Sequence, residues 1–242
     1  MKSAEGPFLV LALLILALGI GFAGVKVNEG LKDFRSYDQY VTVKGLAERE
    51  VKSDMAVWPM AYVETGDDLP ALQTVMEERG KEVESFLKKH GLKDEEISKA
   101  RFNVQDRFAQ SYGQRNMNDA RYILTQTYMV RTQNVDALER ASQDIGELIK
   151  QGVVLSQGGE GPTYLFTRLN DVKPEMIAEA TKNARDAAKQ FAADSGAEVG
   201  GIRRAYQGIF QILPRDDTYT VSPDQQIYKR IRVVSTLDFY LE

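Results

Sequence analysis

The stretch YVTVKGLAEREVKSDMAVWPMAYVET, Tyr40 to Thr65, decides the fold. It predicts two strands joined by a short polar corner. Val41 and Val43 alternate with Thr42 and Lys44, the period-2 pattern of a half-buried strand. Gly45 interrupts that pattern, as glycine does at a bulge or bend. Val51 resumes it, and Ser53-Asp54 marks the corner into Met55 to Val63. This second run is almost wholly apolar, which predicts a strand covered on both faces. Pro59, directly after Trp58, cannot donate to a ladder and predicts an edge strand or a bulge there.

Downstream, helical and strand patterns alternate. Gly66-Asp67-Asp68 stops the second strand and offers a helix N-cap. Leu72, Val75, Met76, Val83, Phe86 and Leu87 fall on one stripe of a helix over Leu69 to His90. Pro70 suits its first turn, Lys88, Lys89 and His90 suit the negative end of its dipole, and Gly91 stops it. Phe102 and Val104 alternate with polar residues over Ala100 to Phe108, and Arg121 to Thr132 forms a long strand. Gln110 to Ala120 between them has the composition of a hairpin loop. Asn134 caps a second helix, Val135 to Gln151, which Gly152 ends. Val153 to Leu155 starts a strand that Tyr164 to Phe166 continues. The glycines of Gly158-Gly159-Glu160-Gly161-Pro162 read as a turn or bulge. A phosphate cradle needs a helix directly after its glycines, and strand-like residues follow these.

Pro174 opens an alanine-rich third helix that runs to Ser195 and stops at Gly196. Its small residues let it lie close on a sheet or another helix. Ile202 to Leu213 is a strand region, Pro214 to Pro223 a polar loop, and Ile227 to Leu241 a long final strand. Phe86 precedes Gly91 by the interval at which Phe191 precedes Gly196, which suggests two related helix–strand units. The whole predicts an α+β fold of mostly antiparallel sheet packed with three amphipathic helices.

The chain has 242 residues, 43% hydrophobic and 27% charged, a globular composition. A net charge of −4 with no basic block argues against a nucleic-acid partner. With no cysteine there are no disulfides, thiolate metal sites or cysteine nucleophiles. His90 is the lone histidine, so a zinc site would need carboxylates for most of its ligands; no metal and no cofactor is expected.

Phe8 to Val25, FLVLALLILALGIGFAGV, is 18 residues without a charge. That is the lower end for a transmembrane helix and long for the apolar part of a signal peptide. No face of it is polar, unlike a helix on the surface of a globular core. An uncleaved anchor is the leading expectation; Gly21 and Ala23 leave cleavage and release open as the alternative. Lys26, Lys32 and Arg35 after the run, against Lys2 before it, taken alone favour the orientation opposite to export. A very short tail ahead of a large domain is nonetheless the layout of an exported, N-anchored protein. The expected organisation is an anchor at 1–27, a linker at 28–39 and a domain at 40–242.

Four features make the chain resemble the SIMPL-domain family, a domain of unknown function. They are the opening VTVKGLAEREVKSDMAVW, Val41 to Trp58, and the helix ending Phe86 to Gly91 with its acidic linker and Phe102. The loop and strand around Tyr122 to Val130 and the helix ARDAAKQFAADSGAEVGGI, Ala184 to Ile202, complete them. Trp58-Pro59 departs from the commoner form of the second strand, and the chain as a whole looks like the membrane-anchored bacterial branch. The resemblance implies an inner-membrane protein with its domain in the periplasm, in a family linked to oxidative-stress defence and ring-like self-assembly. It carries over no catalytic residue.

The residues themselves weigh little toward catalysis. Asp67-Asp68, Glu77-Glu78, Asp94-Glu95-Glu96 and Asp216-Asp217 are carboxylate runs that could serve hydrolysis only if the fold sets two at a working separation. Such neighbours on helices and loops are ordinarily solvated. His90 at a helix end suits a cap better than a triad. Arg203-Arg204 and Lys229-Arg230-Arg232 offer a cationic patch for anionic lipid or polysaccharide, or simply a solvated strand face. The expected function is non-enzymatic binding or self-assembly in the cell envelope, with no catalytic, cofactor or metal residues assigned. A periplasmic hydrolase using a carboxylate pair on a cell-wall or sugar substrate is the alternative. A homo-oligomer is expected from the apolar end Phe239-Tyr240-Leu241, from Trp58-Pro59 at an edge, and from anchoring that concentrates chains on a surface. Tyrosines spread over strands and loops suit wet subunit contacts.

Overall fold

The opening strands form as expected: β1 is Tyr40–Lys52 and β2 is Met55–Gly66, turning at Ser53-Asp54. The structure, a computed structural model, describes residues 16–17, 19–21, 39–109, 120–156, 161–216 and 222–242. After β2 come α1 (Leu69–Lys89), β3 (Ile97–Asp106), β4 (Tyr122–Thr132), α2 (Val135–Gln143) and α3 (Gly146–Lys150). β5 (Thr163–Leu165), α4 (Leu169–Ser195), β6 (Val199–Gln207), β7 (Gln211–Pro214) and β8 (Tyr228–Leu241) complete the chain. The fold is α+β, and every pairing with a register is antiparallel. Among the described residues no helix is long and apolar enough to cross a membrane. Of the stretch 8–25, residues 16, 17 and 19–21 are described and helical; the expected spanning helix, the linker, the loop over 110–119 and Gly158 to Glu160 otherwise lie outside the described residues.

The chain divides into two compact units, Glu48–Lys173 with Gln211–Arg232, and the flanking segments with Pro174–Phe210 and Val233–Glu242. In the first of these a sheet runs β3-β4-β2-β5. Ala56, Trp58, Met60 and Tyr62 of β2 turn one way and, with Leu124, Tyr128 and Val130 of β4, are buried. α1 covers them with Leu72, Met76, Val83, Phe86 and Leu87, and α2 with Val135, Leu138 and Ala141. The rings of Tyr62 and Tyr128 stack at 6.1 Å. Burial, then the carboxylates of Glu84 and Glu64, push the Tyr62 phenol up to about 12.

The other face of this sheet is different. Val57, Pro59, Ala61 and Val63 of β2 are half-exposed. So are Ile123, Thr125, Thr127 and Met129 opposite them on β4. The sequence composes β2 as a strand covered on both faces, yet among the described residues one apolar face is only partly covered.

In the second unit β6 pairs with the C-terminal part of β8, from Val199↔Leu241 to Gln207↔Ser235. Ala184 and Ala188 of α4 pack with Val43, Leu237 and Phe239. Ala180, Ala184, Ala188 and Ala192 recur every four residues and are all buried, the stripe that lies on the sheet. β1 runs on through Gly45, and its alternation of inward and outward residues is kept there. Gly45 is there for contact: a Cβ would stand 1.8 Å from the Ala180 carbonyl oxygen and 2.7 Å from the Ala184 nitrogen.

Other expectations change. The second helix divides in two around Asp144 and Ile145, where the Asp144 carboxylate turns to His90 and Gly146 weakens the helix. The helix placed from Pro174 begins one turn earlier, at Leu169. Ile202 to Leu213 divides into β6 and β7. Val153 to Leu155 makes only an isolated bridge, Leu155 to Tyr62. β2 is an interior strand, but β5 pairs only with Met55 to Val57, so Pro59 lies past the end of that ladder. Gly91 and Gly196 both take positive φ after a long helix, as the repeated interval suggests. The phenylalanines do not match: Phe86 is buried, whereas Phe191 is exposed.

Candidate functional site

β4 hands directly into α2. The Asn134 side chain caps it by accepting from the Ala137 amide at 3.2 Å, and the Thr132 hydroxyl oxygen accepts from the Asn134 amide at 2.9 Å. With Val135, Leu138 and Ala141 turned inward, Asp136, Glu139 and Gln143 share the outer stripe at helical spacing. That stripe forms one wall of a cleft of about 610 Å³. A short 3-10 turn, Pro223–Gln225, and the start of β8 supply Gln225, Gln226 and Tyr228 opposite it. Arg215 and Asp216 lie at its rim, and Tyr164 and Ile227 complete it.

A second cleft of about 390 Å³ meets the first at Asp136. Its lining comes from the β1–β2 corner, Lys52 to Asp54, from Gln133 to Asp136, and from Arg168. Together they make one polar groove along α2, in which most of the charges are paired. Lys52 Nζ donates to Asp136 at 2.6 Å, a bond that holds the ammonium pKa above its ordinary value. Asp54 accepts the Thr167 amide at 2.6 Å and hydroxyl at 2.7 Å, with Arg168 Nε 3.4 Å away. Burial alone would raise the Asp54 carboxyl; the Thr167 bonds and Arg168 outweigh it and hold the group below 3.8. The Arg215 guanidinium pairs with Glu50 at 3.2 Å and sits over the Tyr228 ring at 5.5 Å. Burial pushes the Tyr164 phenol up.

Ser53 stands out in this groove. It is 4% exposed, lines the smaller cleft, and its hydroxyl has no hydrogen-bond partner among the described residues. Its amide is satisfied, donating to the Ile227 carbonyl at 2.8 Å.

The residues singled out in the sequence have other employment. Asp67 accepts the Arg121 amide at 2.9 Å and Asp68 caps α1. Glu77 meets Gln73 on the exposed side of α1 at 3.1 Å, and Glu78 is exposed. Asp94 pairs with Lys88, and Glu96 accepts the Thr132 hydroxyl at 2.6 Å. Asp216 reaches the groove; Asp217 lies outside the described residues. His90 bonds the Phe86 carbonyl at 2.9 Å and Asp144 at 3.1 Å, in the capping position expected of it. Among the described residues no three His, Asp or Glu side chains are grouped to hold a metal. The cationic run does not make one patch: Lys229 is 1% exposed and donates to the Pro223 carbonyl, while Arg232 pairs with Glu48 at 3.6 Å. Arg203 sits over Tyr40 at 4.1 Å. Sequence reasoning missed Ser53, read only as a corner, and the groove residues of α2, whose single signal was a polar stripe opposite an apolar one.

The model of the SIMPL family, described as a protein of unknown function (DUF541), matches residues 41–229, so the chain belongs to that family. No curated protein matches it. Among solved structures, that of a hydrolase from Listeria innocua is similar over 81% of this chain and 91% of its own, at 12% identity and a TM-score of 0.22. That of an uncharacterized conserved protein from Listeria innocua is similar over 77% and 90%, at 15% identity and a TM-score of 0.20. Likenesses of this size carry no inference about activity.

Proposed function

We propose that this SIMPL-family protein is a non-enzymatic component of the bacterial cell envelope, held in the inner membrane by residues 8–25 with residues 40–242 in the periplasm, and that it works by associating with further copies of itself. The open face of β2 and β4 carries the reading. Val57, Pro59, Ala61, Val63, Ile123 and Met129 are apolar and half-exposed on one side of a single sheet. Contiguous apolar surface of this kind marks interaction sites. A second sheet stacked on it, about 10 Å away, is the ordinary way to cover such a face. Membrane tethering raises the local concentration of chains and makes a modest contact productive. The hydrolase alternative has weaker support. It needs two buried carboxylates, and in the groove Asp136 and Asp216 are exposed while Asp54 and Glu139 are only partly buried.

Sedimentation velocity of the full chain in mild detergent tests assembly. The wild type is expected above the 27.2 kDa monomer. Val63→Lys or Thr127→Lys should return it to the monomer with an unchanged circular dichroism spectrum. A wild type that stays monomeric at micromolar concentration, or an oligomer indifferent to both changes, contradicts the reading. Protease added to spheroplasts should digest residues 40–242; protection there would sink the periplasmic placement.

A further inference from the structure

We propose that the groove along α2 binds a neutral, hydroxyl-rich saccharide, with the buried Ser53 hydroxyl as its innermost contact and the Tyr228 ring as the surface on which a sugar ring lies. Size comes first: clefts of about 610 and 390 Å³ meeting at Asp136 are of the dimensions that hold small ligands.

Charge narrows the class. Asp136 is matched by Lys52 at 2.6 Å and Asp54 by Arg168 at 3.4 Å. Arg215 is matched by Glu50 at 3.2 Å. Glu139 and Asp216 also line the larger cleft, so the carboxylates slightly outnumber the cations, a lining that repels a polyanion and is too weakly acidic to select a polycation. The lining is also poor in apolar surface. Val135 is buried in the core, which leaves Ile227 and Pro162 as the main apolar contributors, too little for an acyl chain.

What the groove does offer is donors and acceptors side by side. Gln133, Asn134, Gln143 and Gln225 bring amides, each with an acceptor oxygen and a donor nitrogen. Carboxylates and guanidinium groups stand among them. Vicinal hydroxyls, which donate and accept at once, match that mixture. Tyr228 is 44% exposed, an aromatic surface next to polar groups.

Ser53 is the independent sign of a ligand. A buried hydroxyl without a partner costs stability, and alanine would avoid the cost. Its amide bond to Ile227 makes no use of the hydroxyl, so the side chain serves nothing within the described fold. Its oxygen is covered as it stands, and rotation about χ1 to another staggered position would let a ligand hydroxyl in the smaller cleft satisfy it.

The test is calorimetric titration of the full chain with two neutral oligosaccharides, chitotetraose and maltotetraose, and with a neutral polar tetrapeptide. At least one saccharide should bind and the peptide should not. Tyr228→Ala should weaken that binding at least about tenfold and Tyr228→Phe should preserve it. Ser53→Ala should weaken it about tenfold while leaving the melting temperature unchanged or higher, a combination that a structural serine would not give. Thr127→Lys, on the open sheet face, should bind as the wild type does, so failure of assembly and failure of this site are told apart. Absence of binding by both saccharides at millimolar concentration, binding of the tetrapeptide alone, or saccharide binding indifferent to Tyr228→Ala and Ser53→Ala in folded protein would overturn the proposal.

Discussion

At Asp54 one carboxylate accepts two hydrogen bonds from Thr167, a residue 113 positions away. That clamp ties the β1–β2 corner to the segment entering α4. Hydrogen bonds to a charged group contribute about 1.5–3 kcal/mol, so Asp54→Asn should cost about that much at neutral pH. The pH dependence follows in sign. The folded carboxyl titrates below its unfolded value of 3.8, so its contribution is complete above that value and is lost as pH falls through the folded value. Denaturant melts from pH ~7 to pH ~2 should therefore show the wild type and Asp54→Asn converging in acid; a constant gap between them would contradict the clamp. In the sequence Asp54 is legible as a turn residue and nothing more, because its partner is remote. His90 is the opposite case. Its place at the end of an amphipathic helix gave its role, since a cap is a local matter. Trp58 misleads for the same reason: Pro59 signals a missing ladder partner, but only the register shows that β2 lies inside the sheet with Trp58 in its core.

Among the elements, α1 and α4 were legible from 3.6-residue periodicity and their glycine stops. The break between α2 and α3 was not, because Leu138, Ile145 and Leu148 keep the apolar rhythm through it and Gly146 alone is a weak signal. Strand pairing lay beyond the sequence too. Phe102 and Val104 alternate as a buried face would, yet both are exposed on β3, an edge strand. The approach of α4 to β1 shows how an element-level fact hides in small residues. Gly45 and the alanine stripe allow backbone to meet backbone, and no flexible side chain stands there to yield. Gly45→Ala should lose at least about 3 kcal/mol in a thermal or denaturant melt, although alanine suits a strand no worse than glycine. A loss below about 1 kcal/mol would mean that the helix can back away, and that the close contact is not what holds it.

For the molecule as a whole, the open face of β2 and β4 carries the functional account. Its residues were legible as apolar, and the inference that both faces of β2 are covered was sound as chemistry; among the described residues the cover on one side is only partial. A chain without cysteine allows a direct test. Thr125→Cys and Thr127→Cys each place one thiol on that face, and Glu77→Cys places one on the exposed side of α1. Each variant of the full chain is treated with a bis-maleimide whose reach is about 10 Å, the spacing of stacked sheets. The account predicts covalent dimers from Thr125→Cys and Thr127→Cys and few or none from Glu77→Cys. Monomers from both face variants, or equal cross-linking from Glu77→Cys, would contradict it.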